Sequence, residues 1–183
     1  MSAWVKGALA AAVFGCALGC ADADPLDADP LDAELIRELS MGQGSATGDA
    51  RSGPWQFTFE TESCDCPSFE FDGQTQDLCA LAGYVALDLE LIEGSGVLAI
   101  PTGPGAEAGV LTGAIESDGS FDLASRHDAA TVAGPLESLQ RMDGEFRDGN
   151  TRAMGWAGQR LIGEAAGSAV DCRWIGSFDA VPK

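Results

Sequence analysis

The chain has 183 residues, of which 10 are Lys or Arg and 29 are Asp or Glu, for a formal charge of −19 at neutral pH. So few cations argue against nucleic-acid binding, which needs them to neutralise phosphates, and an apolar share of 45% argues against a wholly disordered chain. One modest, strongly acidic folded unit is expected.

Residues 1–19 place Lys6 ahead of an apolar run of 11 residues from Ala8 to Leu18. A bilayer span needs ~20 apolar residues, so the run is too short for a membrane helix but suits the core of a secretory leader. It ends in Ala17-Leu18-Gly19-Cys20 and passes directly into the polar stretch Ala21-Asp22-Ala23-Asp24. Small residues before a Cys, followed by polar chain, resemble the lipobox of bacterial lipoproteins. The resemblance implies cleavage before Cys20, a diacylglycerol on its sulfur and an acyl chain on its new amino group. It departs from the family pattern at Ala17, where Leu is usual. Val13-Phe14-Gly15-Cys16 is a second candidate, set aside because its downstream side is still apolar. The alternative of plain secretion would use Ala21-Asp22-Ala23, which has the A-x-A form of a cleavage site. Lipidation at Cys20 implies a membrane partner, since two or three acyl chains anchor durably where one does not. By resemblance to lipoprotein sorting, Ala21 after the Cys suits an outer membrane where the cell has one. The covalent lipid is the sole prosthetic group expected.

Residues 20–53 hold eight acids and two bases, net −6, and repeat Asp24-Pro25-Leu26-Asp27-Ala28 as Asp29-Pro30-Leu31-Asp32-Ala33. Like charges and prolines extend a chain, so the segment reads as an acidic tether. Within it, Asp29 as N-cap, Pro30 at N1, and Leu31, Leu35 and Leu39 on one face outline a short helix ended by Gly42, which either docks or frays. Gly42, Gly44, Ser45, Gly48, Ser52 and Gly53 read as linker.

From residue 54 the pattern has a period of two. Trp55, Phe57 and Phe59 alternate with Gln56, Thr58 and Glu60, and Val85, Leu87, Leu89 and Leu91 alternate with Ala86, Asp88 and Glu90. Both runs are half-buried strands. Asp-Gly pairs at 72, 118, 143 and 148 are hairpin signals. At 118 the register decides the loop: with Ser117-Asp118-Gly119 as the loop, Ile115 opposes Phe121, Gly113 opposes Leu123 and Ala114 opposes Asp122, keeping apolar residues together with Gly119 left-handed. Further strands are expected near 96–100, 131–134, 144–147, 151–157, 159–166 and 170–178. Residues 135–142 are ambiguous between strand and helical turn. Eight to ten short strands over residues 54–183 give an all-β domain. An antiparallel up-and-down β-barrel is preferred, because closure removes sticky edges, and a β-sandwich is the second choice.

Gly53-Pro54-Trp55 at the head of the first strand resembles the G-x-W that opens lipocalin-type barrels of the calycin group. The resemblance implies a Trp plugging one barrel end with an Arg late in the chain, here Arg173, packed over it.

Of six Cys, Cys16 leaves with the leader and Cys20 takes lipid, so Cys64, Cys66, Cys79 and Cys172 remain for disulfides in an exported domain. A Cys64 to Cys66 bridge would strain a three-residue span. First and last strands of a meander barrel are neighbours, so Cys172 is expected to bridge to Cys64 or Cys66, and Cys79 to the other. The spacing fits no recognised zinc pattern, and no stretch has the calcium-loop form, so no metal is assigned.

Glu60, Glu62, Asp88 and Glu90 face outward as a solvated acidic surface. The single His, His127, sits in the polar Arg126-His127-Asp128 and reads as a loop residue. No G-x-S-x-G, phosphate loop or dinucleotide fingerprint occurs, and no catalytic residue is assigned. The chain is therefore read as a lipid-anchored, extracytoplasmic, non-enzymatic binding or envelope-structural module, with a small apolar ligand or an envelope protein as the candidate partner. The barrel mouth is the default ligand site, with Trp55, Trp156 and Trp174 as candidate pocket residues. The alternative is a small carboxylate-based hydrolase, calcium-assisted, which would require two converging carboxyl groups.

Overall fold

The structure is a computed structural model and describes residues 29–71, 74–76, 79, 85–102, 109–131, 134–165 and 167–183. Cys16, Cys20 and the first copy of the pentapeptide repeat lie outside the described residues.

The inward and outward alternation read from the sequence is realised as a closed barrel of eight antiparallel strands. They are β1 (Gly53–Asp65), β4 (Val85–Gly94), β5 (Val97–Pro101), β6 (Val110–Ile115), β7 (Ser120–Thr131), β8 (Gly134–Arg147), β9 (Arg152–Ala165) and β10 (Ser168–Pro182). Two further short strands, β2 (Phe69–Phe71) and β3 (Gln74–Gln76), pair with each other across residues 72–73, which lie outside the described residues. Strands follow one another around the barrel, and β1 closes it by pairing with both β10 and β4. The up-and-down barrel is thus the architecture, and the sandwich is not.

The hairpin at Asp118 has the expected register: Ile115 opposes Phe121, Gly113 opposes Leu123, and Ala114 opposes Asp122. Gly119 sits at φ +95°, where a side chain would be strained. Asp148-Gly149 also forms a turn, between β8 and β9. Asp143-Gly144, by contrast, lies inside β8. Gly144 is required there by packing, because a Cβ would fall 2.8 Å from the Cζ of Phe178 and 3.1 Å from that of Phe121. Residues 135–142 are strand, and the separate strands expected at 151–157 and 159–166 are the single β9. Residues 131 and 134 are a register pair at the β7–β8 connection rather than a strand of their own.

One half of the interior is filled. Trp55, Phe57, Phe121, Phe146 and Phe178 are buried together, with Phe59 and Trp174 packed on them. They fit because the facing inward positions of β8–β10 are small: Gly144, Gly155, Ala153, Ala157 and Gly176. Trp55 and Phe146 meet edge to face at 5.4 Å, and the Arg51 guanidinium lies 5.2 Å over the Phe146 ring. Arg51 also donates to Glu93 Oε1 at 2.6 Å and to Asn150 Oδ1 at 3.0 Å, while its carbonyl accepts from Trp55 Nε1 at 3.0 Å. The barrel end at Trp55 is therefore plugged, but by an arginine that precedes the Trp. Arg173, which the G-x-W resemblance assigned to this position, faces outward on β10 and pairs with Asp29.

Residues 29–52, read above as the second half of a tether, are strapped along the outer wall instead. Helix α1 (Ala33–Leu39) is capped by Asp32, not Asp29: the Asp32 carboxylate accepts from the amides of Glu34 and Leu35. Its buried residue is Ile36, which together with Leu31 just ahead of the cap is fully enclosed against Ala124 and Leu139, with Ala33, Leu39 and Ile162 packed alongside. So short a helix is marginal alone, and this docking supplies its stability. Beyond it, the Gly44 amide donates to the Gly96 carbonyl at 2.8 Å and the Ala46 amide to that of Ile115 at 3.1 Å. The glycines at 42 and 44 permit close backbone approach: a Cβ on Gly44 would stand 2.2 Å from the Ile115 oxygen. The strap runs from the level of Arg160 and Arg173 down to the plugged end, where it enters β1. Among the described residues no helix is long and apolar enough to cross a membrane.

The four cysteines form two bridges, Cys64–Cys79 and Cys66–Cys172. The second joins the far end of β1 to β10, the neighbour that barrel closure provides.

Candidate functional site

Among the described residues, the barrel wall is uneven at the end opposite Trp55. Among the described residues, β6 pairs with β7 only from Thr112 to Ile115, and the second half of β7 pairs with β8 alone. Likewise β4 begins at Val85, opposite Phe59, and among the described residues β1 continues to Asp65 against β10 alone. In the described residues, strands β7–β10 and β1 thus form a higher wall than β4–β6.

A cavity of about 380 Å³ lies against the high wall. That is within the usual range for small-molecule sites. Successive rows of register partners build it. Met142 and Ala157 form the floor, continuous with the aromatic core. Above them Gln140, Gln159 and Trp174 line it as one row, and above that Leu161 and Cys172. Phe59, Val85 and Leu87 complete the apolar side, and the two disulfides contribute Cys64, Cys66 and Cys172 at the rim. Leu87 is among the few exposed large hydrophobic residues, as a mouth position would be.

The polar groups are few and placed. Gln159 Nε2 donates to Ser138 Oγ at 3.0 Å, and Trp174 Nε1 donates to Thr61 Oγ1 at 2.7 Å. Gln140 lines the cavity with a buried Oε1 that has no hydrogen-bond partner among the described residues. Such an orphan is unusual, since buried polar atoms in folded proteins are nearly always paired.

Of the three tryptophans expected to line a pocket, only Trp174 does so. Trp55 is the plug at the other end. Trp156 faces outward, 5.2 Å under the Arg141 guanidinium, because its strand neighbours Gly155 and Ala157 take the inward positions. His127 is not in a loop; it is on β7. Its Nδ1 lies 3.3 Å from Ser125 Oγ, and its ring abuts Gly109, where a Cβ would come within 2.5 Å. Both residues border a second hollow of about 460 Å³ where β6 and β7 diverge, together with Arg37, Ser40 and Arg126. The two arginines there are already engaged, Arg37 with Glu34 and Arg126 with Glu137.

Paired carboxylates occur on the outer wall. Asp122 and Asp143 are register partners on β7 and β8. Burial, with the Asp122 charge adding to it, pushes the Asp143 carboxyl above its ordinary value. Asp122 is taken up by a two-pronged contact with Arg141, at 2.9 and 2.7 Å. The pair stands outside the barrel, across the sheet from the cavity.

No protein-family model and no curated protein sequence matches the chain.

Proposed function

We propose that the protein is a lipid-anchored extracytoplasmic binding protein whose barrel takes a small, largely apolar ligand through its open end. The observation that carries the binding half is the contrast between the two ends. One is sealed by Trp55, Phe146 and the Arg51–Glu93 pair, while the other holds a cavity of about 380 Å³ lined mainly by Phe59, Val85, Leu87, Met142, Leu161 and Trp174. A barrel of this size either fills with side chains or holds one ligand, and here the filling stops half-way. Among the described residues no carboxylate lines the cavity, which favours binding over the hydrolase reading.

The anchored half rests on the leader and the Ala17-Leu18-Gly19-Cys20 sequence. Bridging of all four remaining cysteines accords with an oxidising compartment.

Two measurements test these halves separately. N-phenyl-1-naphthylamine, an uncharged dye that brightens in apolar surroundings, is expected to bind saturably at one site. Leu161→Trp should weaken it at least tenfold, since losing burial of two methylenes at ~0.8 kcal/mol each suffices. An unchanged affinity in that variant would remove the cavity from the function. Mass spectrometry of the mature N-terminus in bacterial cells is expected to find acylated Cys20, with Cys20→Ala releasing the protein from the membrane fraction. An unmodified N-terminus at Asp24 would establish plain secretion instead.

A further inference from the structure

We infer that the ligand is an uncharged amphiphile whose head group donates a hydrogen bond to Gln140, with its apolar body against Leu87, Leu161 and Trp174. This deepens the binding reading and rests on it.

The charge state follows from what lines the cavity. Among the described lining residues Arg141 is the one charged group, and its guanidinium is committed on the outer wall to Asp122 and the Trp156 ring. A carboxylate entering the cavity would find no uncommitted cation among the described lining residues and would meet the field of a chain with formal charge −19. An ammonium would find no carboxylate among the described lining residues. Either ion would be desolvated without a partner, which is far costlier than burying a neutral group.

The hydrogen-bonding character follows from the row of carboxamides. Gln140 and Gln159 are register partners on β8 and β9, both inward. Gln159 donates to Ser138 through Nε2, whereas the Gln140 oxygen is buried and has no hydrogen-bond partner among the described residues. Gln140 stands between Ser125 and Gln159 on the high wall, directly above Met142. A ligand lying on the apolar floor therefore brings its polar end to that side chain. The torsion next to a carboxamide is broad, so the Gln140 amide swings toward a donor at little cost. A head carrying N–H or O–H satisfies the orphan oxygen, and one lacking a donor leaves it unpaired.

Displacement of the bound dye reads this out with three probes of one chain length: octanamide, N,N-dimethyloctanamide and octanoate. In the unaltered protein octanamide is expected to displace the dye about fivefold more effectively than the dimethyl analogue, the scale of one neutral hydrogen bond, with octanoate weakest. Gln140→Met keeps the length of the side chain and should make the two amides equal. The comparison in the unaltered protein needs no variant to fold. Equal displacement by the two amides there, tightest binding by octanoate, or no displacement by any of the three overturns the inference while the dye site stands. Failure of the dye itself to bind removes the underlying reading and the inference together.

Discussion

Replacing Cys66 and Cys172 together by serine should cost about 4–5 kcal/mol of stability on the chain-entropy account of a cross-link closing a loop of that length. The bridge spans 106 residues of sequence and ties the far end of β1 to β10 at the rim of the cavity. In a domain of this size the loss should appear as a fall in melting temperature of roughly 10 °C or more. Replacing Cys64 and Cys79 together should cost less, about 3 kcal/mol, since that loop spans only 15 residues. Both members of a bridge must be replaced at once. Cys64 Sγ lies 3.6 Å from Cys66 Sγ, so a lone thiol left at either position would be poised to attack the surviving bridge. Thermal unfolding of the two double variants checks the order, and a larger effect from the shorter loop would refute it.

At the plugged end, Arg51→Met is expected to destabilise by at least about 3 kcal/mol, because it leaves the Glu93 carboxylate buried without its cation. Glu93 is almost wholly enclosed, with its side chain 1% exposed, and both its oxygens accept from Arg51, one from the guanidinium and one from the backbone amide. The informative comparison is Arg51→Met combined with Glu93→Met. Removing both charges from an apolar site beside Phe146 should restore most of the loss, since the penalty comes from the widowed carboxylate rather than from the missing attraction. Urea midpoints of the single and double variants measure this. A double variant no more stable than the single would show that the pair contributes chiefly through attraction and through the Phe146 contact.

Strands with one wet face were legible in the sequence. β1 and β4 alternate cleanly because Gln56, Thr58, Glu60, Asp88 and Glu90 face solvent, and the Asp118 hairpin yielded its register because only one loop keeps Asp122 away from Ile115. The same logic failed on β8. Its inward Gln140 is polar and lines the cavity, its inward Ser138 is polar and accepts from Gln159, and its outward Leu139 is apolar because α1 covers it. Both departures blur the period of two, so residues 135–142 looked ambiguous and Gln140 gave no signal as a site residue. Trp156 misled for a related reason: it is apolar but outward, because the aromatic cluster demands small residues on either side of it. Arg51 and the strap were hidden by composition. Acidic, glycine-containing sequence reads as linker, and what docks it is Leu31 and Ile36 fitting over Ala124 and Leu139, a match between distant segments. The cysteine pairing was half legible, because barrel closure brings Cys172 to the end of β1 while two cysteines stand there side by side.

Asp29 is held by Arg160 and Arg173, on the two strands whose inward residues Gln159, Leu161 and Trp174 line the cavity. The strap therefore leaves the barrel at the rim and not at the sealed base. From Cys20 to Asp29 there are nine peptide steps, which reach no further than about 30 Å even when drawn out fully. With Cys20 acylated as proposed, this leash is short enough to keep the loading side of the molecule hovering over the headgroups. A guest leaving the bilayer would then cross only a thin layer of water before reaching its berth.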